Sequence, residues 1–400
     1  MRLSPISVLC VALAAATKMV ACSSTEEPAD LDASIVDSSF SDGSAEGSIS
    51  TDGGTGVSDG SARPVSGPVT PPPAGEIRFL ATTKGGSLWA MTLLNPTASI
   101  FERRFGVYER VGTAWVERVP PQVAFSDAGI GERSLIAGMT GVRDSNDIYI
   151  YGTKVPAGAK DGAAALPILT KWNGSVWTDL TPMGPQNAVI GGFAETTSNR
   201  FIVGGQDRSG FPLLGHMNPP NAYQAFSLPD AGPGGFIGLN GLANGEFAGV
   251  HSRPSQPNNG LVTSADGGAK VKFGPYSLSL DGGVSTEVFV RGAAPSTVVN
   301  LIVFSDGAVR RTGAVIRAGG GGSTVTVGGK DVTNVVPLRD GFLLVNSSNE
   351  VFTSPIGAGT LGISTLTPVP AAAVPSSFVA SGTEGDLWIG GATSLYRVVR

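Results

Sequence analysis

Charge is scarce in this chain of 400 residues: Asp, Glu, Lys and Arg together make up 15%, against roughly 25% in an average globular protein. The 27 basic and 32 acidic residues leave a net −5, so no overall field draws the chain to nucleic acid, and no basic stripe interleaved with aromatic residues offers a local one. Histidine and cysteine number two each, too few for a zinc or copper site built from those ligands. A Ser/His/Asp triad would have to use His216 or His251, and neither lies in a nucleophile motif. There is no Walker sequence for phosphate. What the chain does have is glycine and proline, 57 and 28, or 85 of 400 residues. That share lies below the roughly 25 to 30% of low-complexity chains. With 41% hydrophobic residues as well, collagen and wholesale disorder are excluded and a sizeable core is expected.

The N-terminus reads as an export signal. Arg2 precedes an eleven-residue apolar run from Ile6 to Ala16, shorter than the about 20 residues a membrane-spanning helix needs. Thr17 and Lys18 follow, then Met19, Val20, Ala21 and Cys22. A basic start, a run of this length and small residues at the end make a secretory signal. The last four residues resemble the lipobox of bacterial lipoproteins, with Met19 where leucine is usual. The resemblance implies cleavage before Cys22, alkylation of its thiol by a diacylglycerol and acylation of the new N-terminus. Cysteine arithmetic agrees, since Cys10 leaves with the signal and an exported Cys22 would otherwise lack a disulfide partner. Several acyl chains, at about 0.8 kcal/mol per buried CH2, hold a protein stably on a membrane. Ser23 stands where that family's inner-membrane retention signal would place Asp, so the outer membrane is the expected location.

Residues 23 to 75 contain 12 Ser, 8 Gly and 9 acidic residues, with Arg63 the only base and Phe40 the only aromatic. Such a segment cannot bury enough surface to offset its ordering entropy. The expected organisation is a leader over 1–21, a disordered tether over 22–63 and a folded domain over 64–400. The tether carries −8 and the leader +2, which leaves +1 of the net −5 for the rest. Gly56-Val57-Ser58-Asp59-Gly60 matches the GxSxG hydrolase elbow by chance, because that motif works only on a strained strand-to-helix turn.

Beyond residue 64 short β-rich runs alternate with Gly, Asn and Asp turns, and no stretch sustains the amphipathic helical period. The domain is therefore expected to be all-β. One motif recurs, and its second strand falls at Leu88, Ile148, Phe201, Phe247, Leu301, Phe342 and Leu387, a mean spacing of (387 − 88)/6, about 50. Ile148-Tyr149-Ile150-Tyr151-Gly152 and Phe201-Ile202-Val203-Gly204-Gly205 are equivalent strands, separated by a hairpin at Trp172-Asn173-Gly174-Ser175-Val176-Trp177. Tyr108, Gly112 and Trp115 repeat the hairpin, and Gly390 and Gly391 repeat the glycine pair. The arrangement resembles the kelch repeat, which implies a β-propeller with glycine at a close backbone approach and tryptophan wedged between blades. Ser264-Ala265-Asp266-Gly267-Gly268 also resembles the Asp box of sialidase-like propellers, a turn-capping element between third and fourth strands; a plain Asp-Gly hairpin turn is the alternative.

The last unit has three strands before the chain ends, whereas Pro64 to Pro73 reads as the end of a blade. Pairing the two would close the ring and remove an open edge. The expected fold is thus a propeller of about seven four-stranded blades, with six or eight the alternatives.

Ligands of propellers gather at the loops between second and third strands and between blades. In this register those loops hold Lys154 and the candidate binding residues Glu132, Arg133, Asp207, Arg208, His251 and Arg253, whose plain alternative is solvated loop charge. Asp144 with Asp147, and Asp281, lack the ligand count of a calcium loop and read as turn residues. No cofactor is expected, and a monomer is. The favoured function is a non-enzymatic, lipid-anchored envelope protein that displays its propeller to a protein or glycan partner. The alternative is a glycosidase or lyase using loop carboxylates.

Overall fold

Runs of β-branched and aromatic residues cut by small polar turns fold into antiparallel hairpins, and in the computed structural model these gather into seven sheets. The structure describes residues 66 to 399 except 99–102, 122, 124–132, 142–145, 156–165, 186–187, 198–199, 219–222, 229–231, 242–246, 253–259, 266–269, 276–283, 295–296, 306–310, 318–321, 325, 339–340, 356–363, 366–368, 370–378 and 383–385; from 272 to 325 it describes the backbone alone. The expected tether and Cys22 lie outside these residues.

Strand β1 (Gly67–Val69) comes first in the chain but belongs to the last sheet. The first blade consists of β2 (Glu76–Thr82), β3 (Leu88–Leu93), β4 (Phe105–Val111) and β5 (Ala114–Glu117). The second has β6 (Arg133–Gly141), β7 (Ile148–Val155), β8 (Leu166–Trp172) and β9 (Trp177–Asp179). The third has β10 (Ala188–Thr197), β11 (Arg200–Asp207), β12 (Pro212–Met217) and β13 (Gln224–Ala225). The fourth has β14 (Gly235–Gly241), β15 (Phe247–Ser252), β16 (Gly260–Ala265) and β17 (Lys270–Pro275). The fifth has β18 (Val284–Ala294), β19 (Thr297–Ser305), β20 (Arg311–Arg317) and β21 (Gly322–Thr324).

In the sixth blade a two-residue strand, β22 (Thr326–Val327), precedes β23 (Lys330–Leu338), β24 (Gly341–Asn346), β25 (Val351–Pro355) and β26 (Ser364–Thr365). This fifth strand departs from the four-strand expectation. It exists because Gly328 and Gly329 take φ of 60° and 72°, the paired left-handed conformation of a tight hairpin turn. The seventh blade has β27 (Val379–Gly382), β28 (Asp386–Gly390) and β29 (Leu395–Val399), and β1 completes it by pairing Gly67, Pro68 and Val69 with Arg397, Tyr396 and Leu395. Each recurrent position from Leu88 to Leu387 lies in the second strand of its blade when the extra β22 is left aside.

The first strands touch in a ring, β2 to β6, β10, β14, β18, β23, β27 and back to β2. The chain is a seven-bladed β-propeller. Its second-to-third-strand loops and its blade-to-blade crossings lie at one end, its first-to-second and third-to-fourth turns at the other. The chain enters the domain at the turn end, where Val399 N donates to Ser66 Oγ at 3.0 Å.

A bulge recurs in the first strand. In β2 the register with β3 slips between Ile77 and Phe79, in β6 between Ile136 and Gly138, and in β10 between Ile190 and Gly192. The first strands of the fourth, fifth and sixth blades slip likewise. Bulges bend and twist a strand, and here they press it against its neighbour. A β-carbon on Gly152 would collide with the carbonyl of Leu135, and one on Gly205 with that of Val189. This is the physical need behind the glycines that end the second strands.

Packing lies between blades. The seam of blades one and two buries Trp89, Met91, Val107, Ile136, Ile148, Ile150, Ile168 and Trp172, with Trp177 against them. Tyr149, Phe193 and Phe201 stack between blades two and three. Phe236, Leu239 and Phe247 fill the next seam. Leu387, Ile389 and Val398 meet Leu343, Val345 and Val351 between blades six and seven. The turn joining β16 and β17 is where the Asp-box resemblance falls; Ser264 Oγ accepts from Phe247 N at 2.6 Å, while Asp266 to Gly268 lie outside the described residues.

Candidate functional site

Parts of the loop end of the first three blades are described, and they hold several of the candidate residues. On the third blade, Asp207 ends β11 and caps its own loop: Oδ1 accepts from Ser209 N at 2.8 Å and Phe211 N at 2.9 Å. Its backbone N–H donates to the carbonyl of Phe211 at 2.8 Å. Asp and Asn are chosen at such positions because a short side chain reaches its own backbone. Asp207 is therefore occupied by its turn, while Arg208 is exposed beside it. Phe211 is 50% exposed in the same loop. Gly234 N donates to Gly210 O at 2.9 Å, tying this loop to the start of blade four.

Arg133 opens β6, opposite Val155, and half-buried Lys154 pairs with Ser134 across the same strand ends. The structure thus brings Arg133 and Lys154 to one rim of blade two. Glu132 and Arg253 lie outside the described residues.

His251 is a correction. The sequence places it in a loop, but it lies in β15 with 0% exposure. It pairs with Phe236 on one side and Gly260 on the other, and its ring packs on Phe236 at 5.1 Å between centroids. The strand runs through to Ser252, so the imidazole is enclosed by sheet and is not offered to a ligand. His216 is also interior: it packs on Phe226 at 4.6 Å and accepts at Nε2 from Arg200 Nη2 at 2.8 Å. That bond requires a lone pair on Nε2 and hence a neutral ring.

Asp147 pairs with Lys171 at 2.5 Å, while Asp144 and Asp281 lie outside the described residues. Among the described residues, no three His, Cys, Asp or Glu side chains group to hold a metal.

On the first blade the structure reveals charges that the sequence reading passed over. Glu76 opens β2 opposite Leu93, and Leu94 N donates to Arg104 O at 2.9 Å where β3 and β4 part. Three strand ends therefore lie side by side at the mouth. Arg78 occupies the bulge between Ile77 and Phe79 and holds Glu76 at 2.8 Å. Arg103 is half-buried at the end of the loop; burial pushes its guanidinium pKa down, the Arg78 charge pushes it further, and Glu76 pulls the other way. A signal existed in the repeat alignment. Where Arg78 stands, the equivalent bulges carry Ala137 and Gly191, so one blade places a long cation where its neighbours place small residues.

No family model and no curated protein matches this sequence. Solved structures do resemble it in fold. YCF48 from Cyanidioschyzon merolae aligns over 84% of this chain and 99% of its own with a TM-score of 0.52 at 12% identity. YCF48 bound to D1 peptide covers 84% of this chain and 95% of its own, with a TM-score of 0.50 and 14% identity. BP39L lectin from Burkholderia pseudomallei covers 82% and 96%, with a TM-score of 0.48 and 13% identity.

Proposed function

We propose that this chain is a lipid-anchored protein of the cell envelope, held at Cys22 and expected in the outer membrane, whose propeller binds a protein or glycan partner at its loop end without catalysis. The observation that carries the reading is the polarity of the ring. The chain enters at the turn end beside Ser66, so the face bearing Arg78, Arg103, Arg208 and Phe211 is the one away from the entry point. Asp207, the loop acid next to exposed Arg208 in the chain, serves its own turn, which favours a structural over a catalytic use of such carboxylates. The kelch-like spacing supports the same scaffold reading. One structure of this architecture is of YCF48 bound to D1 peptide, so a propeller of this build accommodates a peptide.

Two measurements test the proposal. Mass spectrometry of the mature N-terminus should find lipidated Cys22; an unmodified terminus elsewhere removes the anchor. A glycan array run beside a hydrolysis screen should give no turnover. Turnover abolished by replacing a loop Asp or Glu would make the chain a glycan-cleaving enzyme instead. Arg208→Ala should weaken partner binding with little change in melting temperature, since an exposed loop charge opens no core when removed.

A further inference from the structure

We propose that the mouth of the first blade is a carboxylate site, built by Arg78 and Arg103 beside Leu94, and that its ligand is a segment of a partner protein carrying one carboxylate next to an apolar side chain. This rests on the reading of the propeller as a binding module and names its partner class.

Charge sets the ligand's valence. Arg78 and Arg103 bring two positive charges and Glu76 returns one negative, so these three described groups leave one positive charge. A monoanionic carboxylate balances that; a phosphate near −2 would overshoot. Guanidinium forks also match the planar two-oxygen geometry of a carboxylate. Nε of each is buried, while the Arg78 side chain keeps 28% exposure and Arg103 is half-buried, so a carboxylate would meet the outer Nη edge of the guanidiniums.

The frame is set before any ligand arrives. Ile77 N, next to Arg78, donates to Ala392 O of the seventh blade at 3.0 Å. On the other side, Arg104 N donates to Asn95 Oδ1 at 2.6 Å and Ala98 N to Asn95 O at 3.0 Å. The bulge and the loop end are thus each fixed by backbone bonds, which reduces the ordering entropy that binding must overcome.

Apolar surface decides between peptide and sugar. Leu94 is 40% exposed at the base of this loop. Leu166 and Phe211, at 43% and 50%, stand at the loop ends of blades two and three. A leucine offers nothing to sugar hydroxyls and gains from an aliphatic side chain. A peptide in which Asp or Glu adjoins a hydrophobic residue satisfies both halves of the surface.

The test uses the full chain with 15N-labelled arginine and follows the Nε–H signals while N-acetyl-Leu-Asp or N-acetyl-Leu-Asn, each as its C-terminal amide, or glucuronate is added. N-acetyl-Leu-Asp should shift the signals of Arg78 and Arg103, and N-acetyl-Leu-Asn should not. Arg103→Gln should weaken the dipeptide about tenfold, the scale of a lost charge-assisted pair. Glu76→Gln should tighten it several-fold, a gain that a purely structural role for these residues does not produce. Absence of any shift, or a dipeptide affinity unchanged in Arg103→Gln, overturns the site. Glucuronate binding as tightly as N-acetyl-Leu-Asp overturns the peptide assignment. A chain that binds a partner without turnover yet shows no arginine shift loses this site and keeps its role as a binder; turnover in the hydrolysis screen removes that role whatever the dipeptide does.

Discussion

Two seams of the ring use the same outer-strand tryptophan in different company. Between blades one and two, Trp177 donates its indole N–H to Arg118 O, just past the outer strand of the preceding blade, at 2.8 Å. Between blades seven and one, Trp115 donates to Thr70 O, just past β1, at 2.9 Å. The first seam then fills with aromatics: Trp89, Trp172 and Trp177 lie with ring centroids 5.5 to 6.0 Å apart. In the second, Trp388 takes the place of Trp89 and lies under two guanidiniums, Arg110 at 5.1 Å and Arg397 at 5.4 Å. Arg397 in turn makes a two-pronged bond with Asp386, 2.8 Å on each side. The indole wedge and its carbonyl are thus common to both seams, while the partner of the central ring is not. The first seam also carries a cation and an ion pair, Arg118 over Trp172 at 5.2 Å and bonded to Glu109 at 3.2 Å, but not over the central Trp89. Blade seven, inside which the two ends of the domain pair, thus meets blade one with both cations on the central ring, contacts with more directional demand than burial alone.

The largest expected effect comes from removing the closure itself. Deleting residues up to Gly75 takes away β1 and the acceptor of Trp115, and bares the edge of β29. The product should aggregate or lose cooperative unfolding, read by light scattering during a thermal melt. A chain lacking only 23–62 should melt within a few degrees of the parent. If both deletions behave alike, the seam does not depend on β1.

Next come the central rings. Trp89→Ala and Trp388→Ala should each cost about 3 to 5 kcal/mol in denaturant unfolding, as large aromatic deletions do. Their salt responses should differ. Removing Trp388 leaves Arg110 and Arg397 facing one another; Arg397 already lowers the pKa of Arg110, after burial. Added salt should therefore recover part of the loss at Trp388 and none at Trp89. Equal salt dependence breaks the distinction between the seams. Smaller still is Trp177→Phe, which keeps a ring but gives up the indole donor to Arg118 O. About 1 to 2 kcal/mol is expected, with the more exposed Trp115→Phe costing less.

The sequence shows the strands better than it shows the mouth. The second strands are legible because each is a run of β-branched or aromatic residues broken on both sides by turn formers. The hairpin at Trp172 to Trp177 is legible too, and Asn173 explains it: Oδ1 accepts from Ser175 N and Val176 N, at 3.1 and 3.0 Å. Ring closure follows from counting strands in the last unit. His251 is misplaced because a strand that runs one or two residues further changes a loop side chain into a buried one, and composition does not mark that boundary. Arg78 and Arg103 are missed for a different reason. Their meeting depends on a bulge and on three strand ends brought side by side, and 25 residues of chain separate them. The extra β22 escapes because two residues carry no periodicity.

The smallest effect should come from Asp386→Asn. Arg397 and Asp386 retain 27% and 23% of their side-chain exposure, so water already screens the pair, and exposed or half-exposed ion pairs are worth about 0 to 1 kcal/mol. The substitution keeps the size of the side chain and one acceptor, so Arg397 should stay over Trp388 and the loss should sit near 0.5 kcal/mol. Because Asp386 also offsets the repulsion between Arg397 and Arg110, that loss should grow as ionic strength falls. Made together with Trp388→Ala, it should cost more than the sum of the two, since the ring no longer separates the two arginines and no carboxylate remains to neutralise one of them. Unfolding at low and high salt on the four members of this cycle measures the coupling directly. Strict additivity would show that the ion pair and the ring act independently, leaving the seam of blades seven and one with no more than the wedge it shares with its neighbour.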